Sequence, residues 1–283
     1  MVISVASGKG GTGKTTVATS LALCLDEGHI MDCDVEEPDS GLFIKPEITF
    51  TRPVYVPVPE IQQNRCNLCG KCREVCAYNA IAVLNRVLVF SELCHGCGAC
   101  TYFCPQDAIL EKNREIGSIE TGRRNSLKFT HGKLGIGQAM APPLIRAVKK
   151  YIHKQETTII DAPPGTSCPV ITAVRGSDFC LLVTEPTPFG LSDLASAAEV
   201  LKKLRIPCGV VVNRSNIGDG EVYKYCKQEK IPVLLEIPFS REIGYAYSRG
   251  IPVVEALPEY RNDFKHLLTK IGQMVKSDVQ VRD

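Results

Sequence analysis

A chain of 283 residues, 44% of them hydrophobic, holds enough apolar material for one large core or two smaller ones, which excludes a disordered or fibrous protein. The formal net charge is +2 and the basic pairs Arg123-Arg124, Lys149-Lys150 and Lys202-Lys203 are dispersed, so no nucleic-acid partner is predicted. The chain opens without a charged and apolar leader, and no apolar stretch approaches the ~20 residues that span a bilayer, so the expectation is a cytoplasmic protein with no membrane partner. Residues 2–6 (VISVA) read as a buried strand, and 14–25 as a helix with Val17, Leu21 and Leu25 on one face.

Between them, Gly8 to Thr15 (GKGGTGKT) satisfies the phosphate-loop pattern in its required strand-loop-helix context. The glycines let successive N–H groups turn inward as an anion cradle, to which the helix N-terminus adds its positive end. The expected nucleotide-binding set is Gly8, Gly10, Gly11, Thr12, Gly13, Lys14, Thr15 and Thr16. Lys14 would neutralise the β- and γ-phosphates, and the Thr15 hydroxyl would hold Mg²⁺. The competing reading is a flexible glycine turn.

A second strand, His29 to Cys33, ends in DCDVEEPDSG, after which Pro46, Pro53, Pro57 and Pro59 mark the approach to a boundary near residue 60. From 61 to 112 the chain is cysteine-rich. Eight of its fourteen cysteines lie there, in CNLCGKCREVC (66–76) and CHGCGACTYFC (94–104), each C-x2-C-x2-C-x3-C and offset by 28 positions. In a reducing compartment such density points to metal rather than disulfides. The spacing is that of bacterial two-cluster ferredoxins, whose fourth cysteine serves the other cluster. One [4Fe–4S] cluster would take Cys66, Cys69, Cys72 and Cys104, the other Cys94, Cys97, Cys100 and Cys76. Two four-cysteine zinc sites are the alternative, disfavoured by the third cysteine at x2 and by Pro105. Ala77 stands where a proline commonly follows the fourth cysteine.

Helical spacing covers roughly 139–153. TTIIDAPPG, DFCLLVTEP, CGVVVNR and IPVLLEIP then read as apolar strands separated by helix-length stretches, the signature of a parallel sheet covered on both faces. The predicted fold class is therefore α/β: a doubly wound, mostly parallel sheet of P-loop NTPase type built from 1–60 and 113–283, with a two-cluster ferredoxin domain, 61–112, inserted. Ligands of such sheets bind at the carboxyl ends of the strands.

Lys9, in KGGTGKTT, is a lysine that the generic loop does not need, and here the sequence resembles the MinD, ParA and Mrp class of ATPases, to which the nitrogenase iron protein belongs. The resemblance implies ATP and Mg²⁺ as cofactors and a homodimer in which Lys9 reaches the phosphates bound by the other subunit. It also implies that Asp34 orients the attacking water, with Lys9 and Lys14 completing the catalytic set. Asp32 would stand near the Mg²⁺ shell, Asp161 on the Mg²⁺ side, Pro163, Pro164 and Gly165 in a switch, and Asn213 would read adenine. DAPPGTSCPV and VTEPTPFGLSD are similar to the subgroup of MinD-like ATPases that carries an inserted ferredoxin domain. Cys168 falls where the iron protein has an intersubunit cluster ligand, but the companion position reads Ala139-Met140-Ala141, so a small buried thiol is expected. The paired C-terminal cysteines of Mrp carriers are absent. Cys24, Cys33, Cys180, Cys208 and Cys226 read as core thiols, and 260–275 as an amphipathic helix packed on the core through Phe264, Leu267, Leu268 and Ile271.

The function expected first is a homodimeric ATPase gating electron transfer through two clusters to an unidentified redox or iron–sulfur partner protein. The alternatives are an Mrp-type cluster carrier and a MinD- or ParA-like regulatory switch with a redox-sensing module.

Overall fold

The computed structural model describes the backbone of residues 1–282 and the side chains of 1–277. In chain order the elements are β1 (Val2–Ala6), α1 (Lys14–Ala22), β2 (Gly28–Asp32), α2 (Ser40–Ile44), β3 (Glu47–Ile61), α3 (Lys71–Glu74), β4 (Ile81–Val83) and β5 (Val87–Val89). They continue with α4 (Ala99–Tyr102), β6 (Ile109–Arg124), β7 (Leu127–Leu134), α5 (Pro142–Lys149), β8 (Thr158–Asp161), α6 (Cys168–Val174), β9 (Phe179–Thr184) and α7 (Pro188–Leu204). The last are β10 (Cys208–Asn213), α8 (Glu221–Gln228), β11 (Val233–Ile237), α9 (Arg241–Ser248), α10 (Val253–Ala256) and α11 (Tyr260–Arg282).

Nine strands form one sheet in the order β11-β10-β9-β1-β8-β2-β7-β6-β3. Every pairing from β11 to β7 is parallel, while β6 runs antiparallel to both β7 and β3. Alternation along the strands feeds two cores, one on each face. Ile3, Val5, Phe179, Leu181 and Val183 point to the face covered by Val17 and Leu21 of α1 and by Phe264, Leu267 and Ile271 of α11. Ala6, Ile160, Cys180, Leu182, Val210 and Val212 point to the other, under Leu144 and Val148 of α5, Val174 of α6 and Leu201 of α7. The long C-terminal helix is thus seated on the core through three of the four side chains named for it, with Leu268 half-buried beside them. Among the described residues no helix is long and apolar enough to cross a membrane.

Two strands differ from expectation. Pro53, Pro57 and Pro59, expected to mark the approach to a boundary, lie within a strand: β3 carries them through 15 residues. It lies at the edge of the sheet, with a partner on one side only, where a missing N–H is tolerated. The partner β6 begins at Ile109, which pairs with Ile61, so the cysteine-rich residues 62–108 hang from a two-stranded arm. Their 28-residue repeat is also a repeat of backbone. Leu68 and Gly96, Gly70 and Gly98, and Asn79 and Asp107 are left-handed pairs, and α3 and α4 occupy equivalent places.

Candidate functional site

Strand β1 ends at Ala6 and α1 begins at Lys14, leaving a loop that must turn sharply at the carboxyl edge of the sheet. Gly11 and Gly13 take φ of 80° and 93°, the left-handed region that glycine supplies without strain. Gly8 is required for another reason, since a Cβ there would fall 2.3 Å from the Asp193 carbonyl oxygen of α7. At Gly10 and Gly11 a Cβ would meet nothing within 4 Å. Those two glycines face a cleft of about 510 Å³, a volume within the usual range for small-molecule sites. Lys14, Thr15, Thr16, Asp34, Pro164 and Asn213 line it, together with residues that sequence reasoning did not name: Glu37, Asp39, Arg214, Phe239 and Tyr247.

Lys14 is buried, and its Nζ donates to Asp161 Oδ1 at 2.7 Å while standing 3.6 Å from Asp34 Oδ2. Burial alone would lower its pKa, but Asp161, then Asp34 and Asp32, outweigh burial and hold it above the ordinary lysine value. Asp161 Oδ2 is buried without a hydrogen-bond partner, an oxygen that a cation would satisfy. Asp34 is pushed up to about 6, first by burial, with Lys14 opposing and Asp161 adding to the rise. Burial, then the Asp161 carboxylate, raise Asp32 as well.

Asp32, the last residue of β2, is buried beneath the following loop and does not line the cleft. Its Oδ1 accepts from the Asp34 N–H at 3.0 Å, and its Oδ2 accepts from the Ser40 N–H at 2.9 Å and the Ser40 hydroxyl at 2.6 Å. It therefore fixes the turn that presents Asp34 and ties down the start of α2. Ser40, the first residue of α2, carried no motif in the sequence. The Ser7 hydroxyl donates to the Lys9 carbonyl at 2.7 Å, and Lys9 makes no ion pair with another described residue. Asn213 Nδ2 donates to the Thr12 carbonyl at 2.8 Å and its Oδ1 accepts from the Arg214 N–H at 3.0 Å, so its amide also braces the loop. The Gly165 N–H, past Pro163 and Pro164, donates to the Ser7 carbonyl at 2.9 Å. Cys168 is exposed, not buried, as the first residue of α6, whose packing against the core begins at Val170. Cys24, Cys33, Cys180 and Cys226 are buried and Cys208 is half-buried.

In the segment 62–108 the eight cysteines line two hollows. Cys66, Cys69, Cys72 and Cys104 surround one, with Val87 and Ile109. Cys76, Cys94, Cys97 and Cys100 surround the other, with Pro57, Pro59 and Glu111 of the arm. These are the same groups of four named from the spacing. Backbone N–H groups reach three sulfurs: Ala80 to Cys76 at 3.3 Å, Ala108 to Cys104 at 3.4 Å and Gly96 to Cys94 at 3.5 Å. Among the described residues no three His, Cys, Asp or Glu side chains are grouped so as to hold a single metal ion.

The nucleotide-binding domain shared by CobQ, CobB, MinD and ParA matches residues 3–253. The chain belongs to that CobQ/CobB/MinD/ParA family. An uncharacterized protein of Methanocaldococcus jannaschii is 32% identical over 282 residues, 97% of each chain. The iron–sulfur cluster carrier protein of Pyrococcus horikoshii is 32% identical over 133 residues, 40% of this chain and 45% of that one. Among solved structures, the septum site-determining protein MinD of Pyrococcus horikoshii, complexed with Mg-ADP, superposes with a TM-score of 0.59 at 19% identity, covering 96% of each chain. The mostly parallel sheet is thus the MinD/ParA sheet, and the glycine loop is that of a P-loop NTPase family.

Proposed function

We propose that this chain is a Mg²⁺-dependent ATPase, acting as a nucleotide-dependent homodimer in iron–sulfur cluster carriage or assembly. Residues 1–60 and 113–283 form its ATPase domain, and 61–112 an inserted ferredoxin domain with two [4Fe–4S] clusters. The observation that carries the reading is the gathering of eight thiols into two groups of four on an arm of the same sheet that bears the phosphate loop. Four thiols ringing a space suit a cluster, in which each thiolate binds its own iron, and N–H groups aimed at sulfur stabilise thiolate charge. When bound, the clusters supply one-electron chemistry.

At the nucleotide site the open faces of Gly10 and Gly11 receive the phosphates. Lys14 would turn from Asp161 to a phosphate oxygen, and the Asp161 carboxylate with the Thr15 hydroxyl would hold Mg²⁺, which when bound would offset phosphate charge. Asp34, positioned by Asp32, orients the water. Lys9 makes no ion pair among the described residues and is available to the phosphates of the other subunit.

Carriage is supported by the name of the Pyrococcus horikoshii relative. A second reading, ATP-gated electron delivery, is favoured by each thiol group being complete within one chain. Mixing reconstituted protein with an iron-free acceptor under anaerobic conditions separates them. Carriage predicts MgATP-stimulated appearance of iron in the acceptor. Iron that stays in place while the midpoint potentials shift with MgATP would replace carriage with electron delivery.

A further inference from the structure

The two thiol groups are joined to the nucleotide site unequally. Val35 follows Asp34 directly, and its carbonyl accepts from the Leu134 N–H, at the end of β7, at 2.8 Å. The next residue, Gly135, donates to the Ile116 carbonyl of β6 at 2.9 Å, and the Arg114 guanidinium of β6 donates to the Gln138 side chain in the same loop. Across the arm Arg114 pairs with Val56 and Asn113 with Pro57. Against Pro57 sits Gly96, with φ 63° and so little room that a Cβ would lie 2.9 Å from the Pro57 carbonyl oxygen. Gly96 is in the turn between Cys94 and Cys97, where its N–H reaches the Cys94 sulfur.

Packing follows the same course. Val35, Ile116, Val56, Val58, Ala80 and Cys94 belong to one continuous buried cluster, with Leu134 and Cys76 against it. None of Cys66, Cys69, Cys72 and Cys104 joins it; Cys66, Cys72 and Cys104 belong with a separate small cluster around Ile81, Val87 and Ile109, against which Cys76 and Cys100 also pack. Lys14 Nζ stands 3.6 Å from Asp34 Oδ2, so a nucleotide phosphate competing for Lys14 would leave Asp34 to find a new position. Close-packed cores pass such a displacement on rather than absorb it.

We propose, resting on the nucleotide and thiolate roles above, that the Cys76/Cys94/Cys97/Cys100 group is the nucleotide-responsive one and that the Cys66/Cys69/Cys72/Cys104 group, which has no member in the main cluster, is the less responsive one. The response is a shift of the 94–97 turn against Pro57. That shift alters the Gly96 contact to sulfur and the cover given by the Tyr78 and His95 rings, which stack at 3.4 Å beside the same thiols.

Amide hydrogen exchange on the full, anaerobically purified chain, with and without a non-hydrolysable MgATP analogue, tests this without reference to turnover. Exchange in 94–98 and 76–80 is expected to change by about fivefold or more, the lower range of coupling between sites, with a smaller change in 66–72 and 104–108. Ile116→Ala is expected to remove that change while the analogue still protects residues 8–16. Arg114→Ala, at a half-buried position, tests the same link should Ile116→Ala fail to fold. Equal responses in both thiol groups, or none in either while 8–16 is protected, would overturn the proposal alone. A folded variant that keeps the full response would overturn the route. No protection at 8–16 would remove the nucleotide reading and the proposal with it.

Discussion

Lys14 is the buried cation of the proposed phosphate site, and its neighbours Asp161 and Asp34 are carboxylates that would be stranded without it. Lys14→Met is expected to cut ATP turnover by at least ~100-fold, through loss of charge stabilisation at the phosphates. The same change should cost about 3–5 kcal/mol in a denaturant melt, since it leaves buried Asp161 without its partner. Turnover within a few-fold of wild type would remove Lys14 from the chemistry. Asp34 behaves in the opposite sense. Its folded pKa of about 6 lies above the ~4 of an unfolded aspartate, so the folded chain binds the proton more tightly. The stability this group gives is full below pH ~4 and is lost as pH rises through about 6. Asp34→Asn should therefore gain thermal stability relative to wild type as pH goes from 4 to 7, while losing turnover. A melting-temperature difference that stays constant over that range would contradict the assignment.

The glycine loop was legible because its requirement is local: a tight turn between a buried strand and a helix leaves few residue choices. Gly10 faces the cleft with ordinary φ and open space, so Gly10→Ala should leave the melting temperature unchanged and weaken nucleotide binding by about tenfold or more, which calorimetry would read. Unchanged affinity would mean that the phosphates lie elsewhere. In the cysteine segment the repeat supplies its own comparison. Gly96 and Leu68 are equivalent, yet Leu68 holds φ 59° as a leucine, strain of about 1–2 kcal/mol that an asparagine tolerates better. Leu68→Asn should raise stability, whereas Gly96→Ala should lower it and reduce iron retention. The reverse order in thermal melts would contradict the backbone assignment. The prolines of β3 hid a strand because edge position, a property of the finished sheet, is what admits them. Likewise α2 was invisible, since its start is fixed by Asp32 eight residues earlier.

At the scale of the molecule, the parallel half of the sheet could be read because both of its faces are covered and its strands are continuously apolar. The antiparallel extension β7-β6-β3 could not, because its strands mix charged and apolar residues and β3 meets its partner β6 only across the cysteine-rich residues 62–108. The thiol groups were read from spacing alone, since the cysteines repeat at fixed intervals. Lys9 takes the account to two chains. Wild-type protein should double its mass in solution with MgATP, measured by light scattering. Lys9→Ala should lose turnover by ~100-fold or more, as when a charge supplied in trans is removed from phosphoryl transfer. A strictly monomeric wild type turning over at full rate would end the dimer mechanism. The most direct measurement of the central claim is iron and sulfide content with EPR on anaerobically reconstituted wild type and Cys94→Ser. The account predicts about eight irons per wild-type chain and two interacting [4Fe–4S] signals, with the signal of only one group weakened in the variant. Bound zinc in place of iron, or both signals lost together in a folded variant, would contradict it.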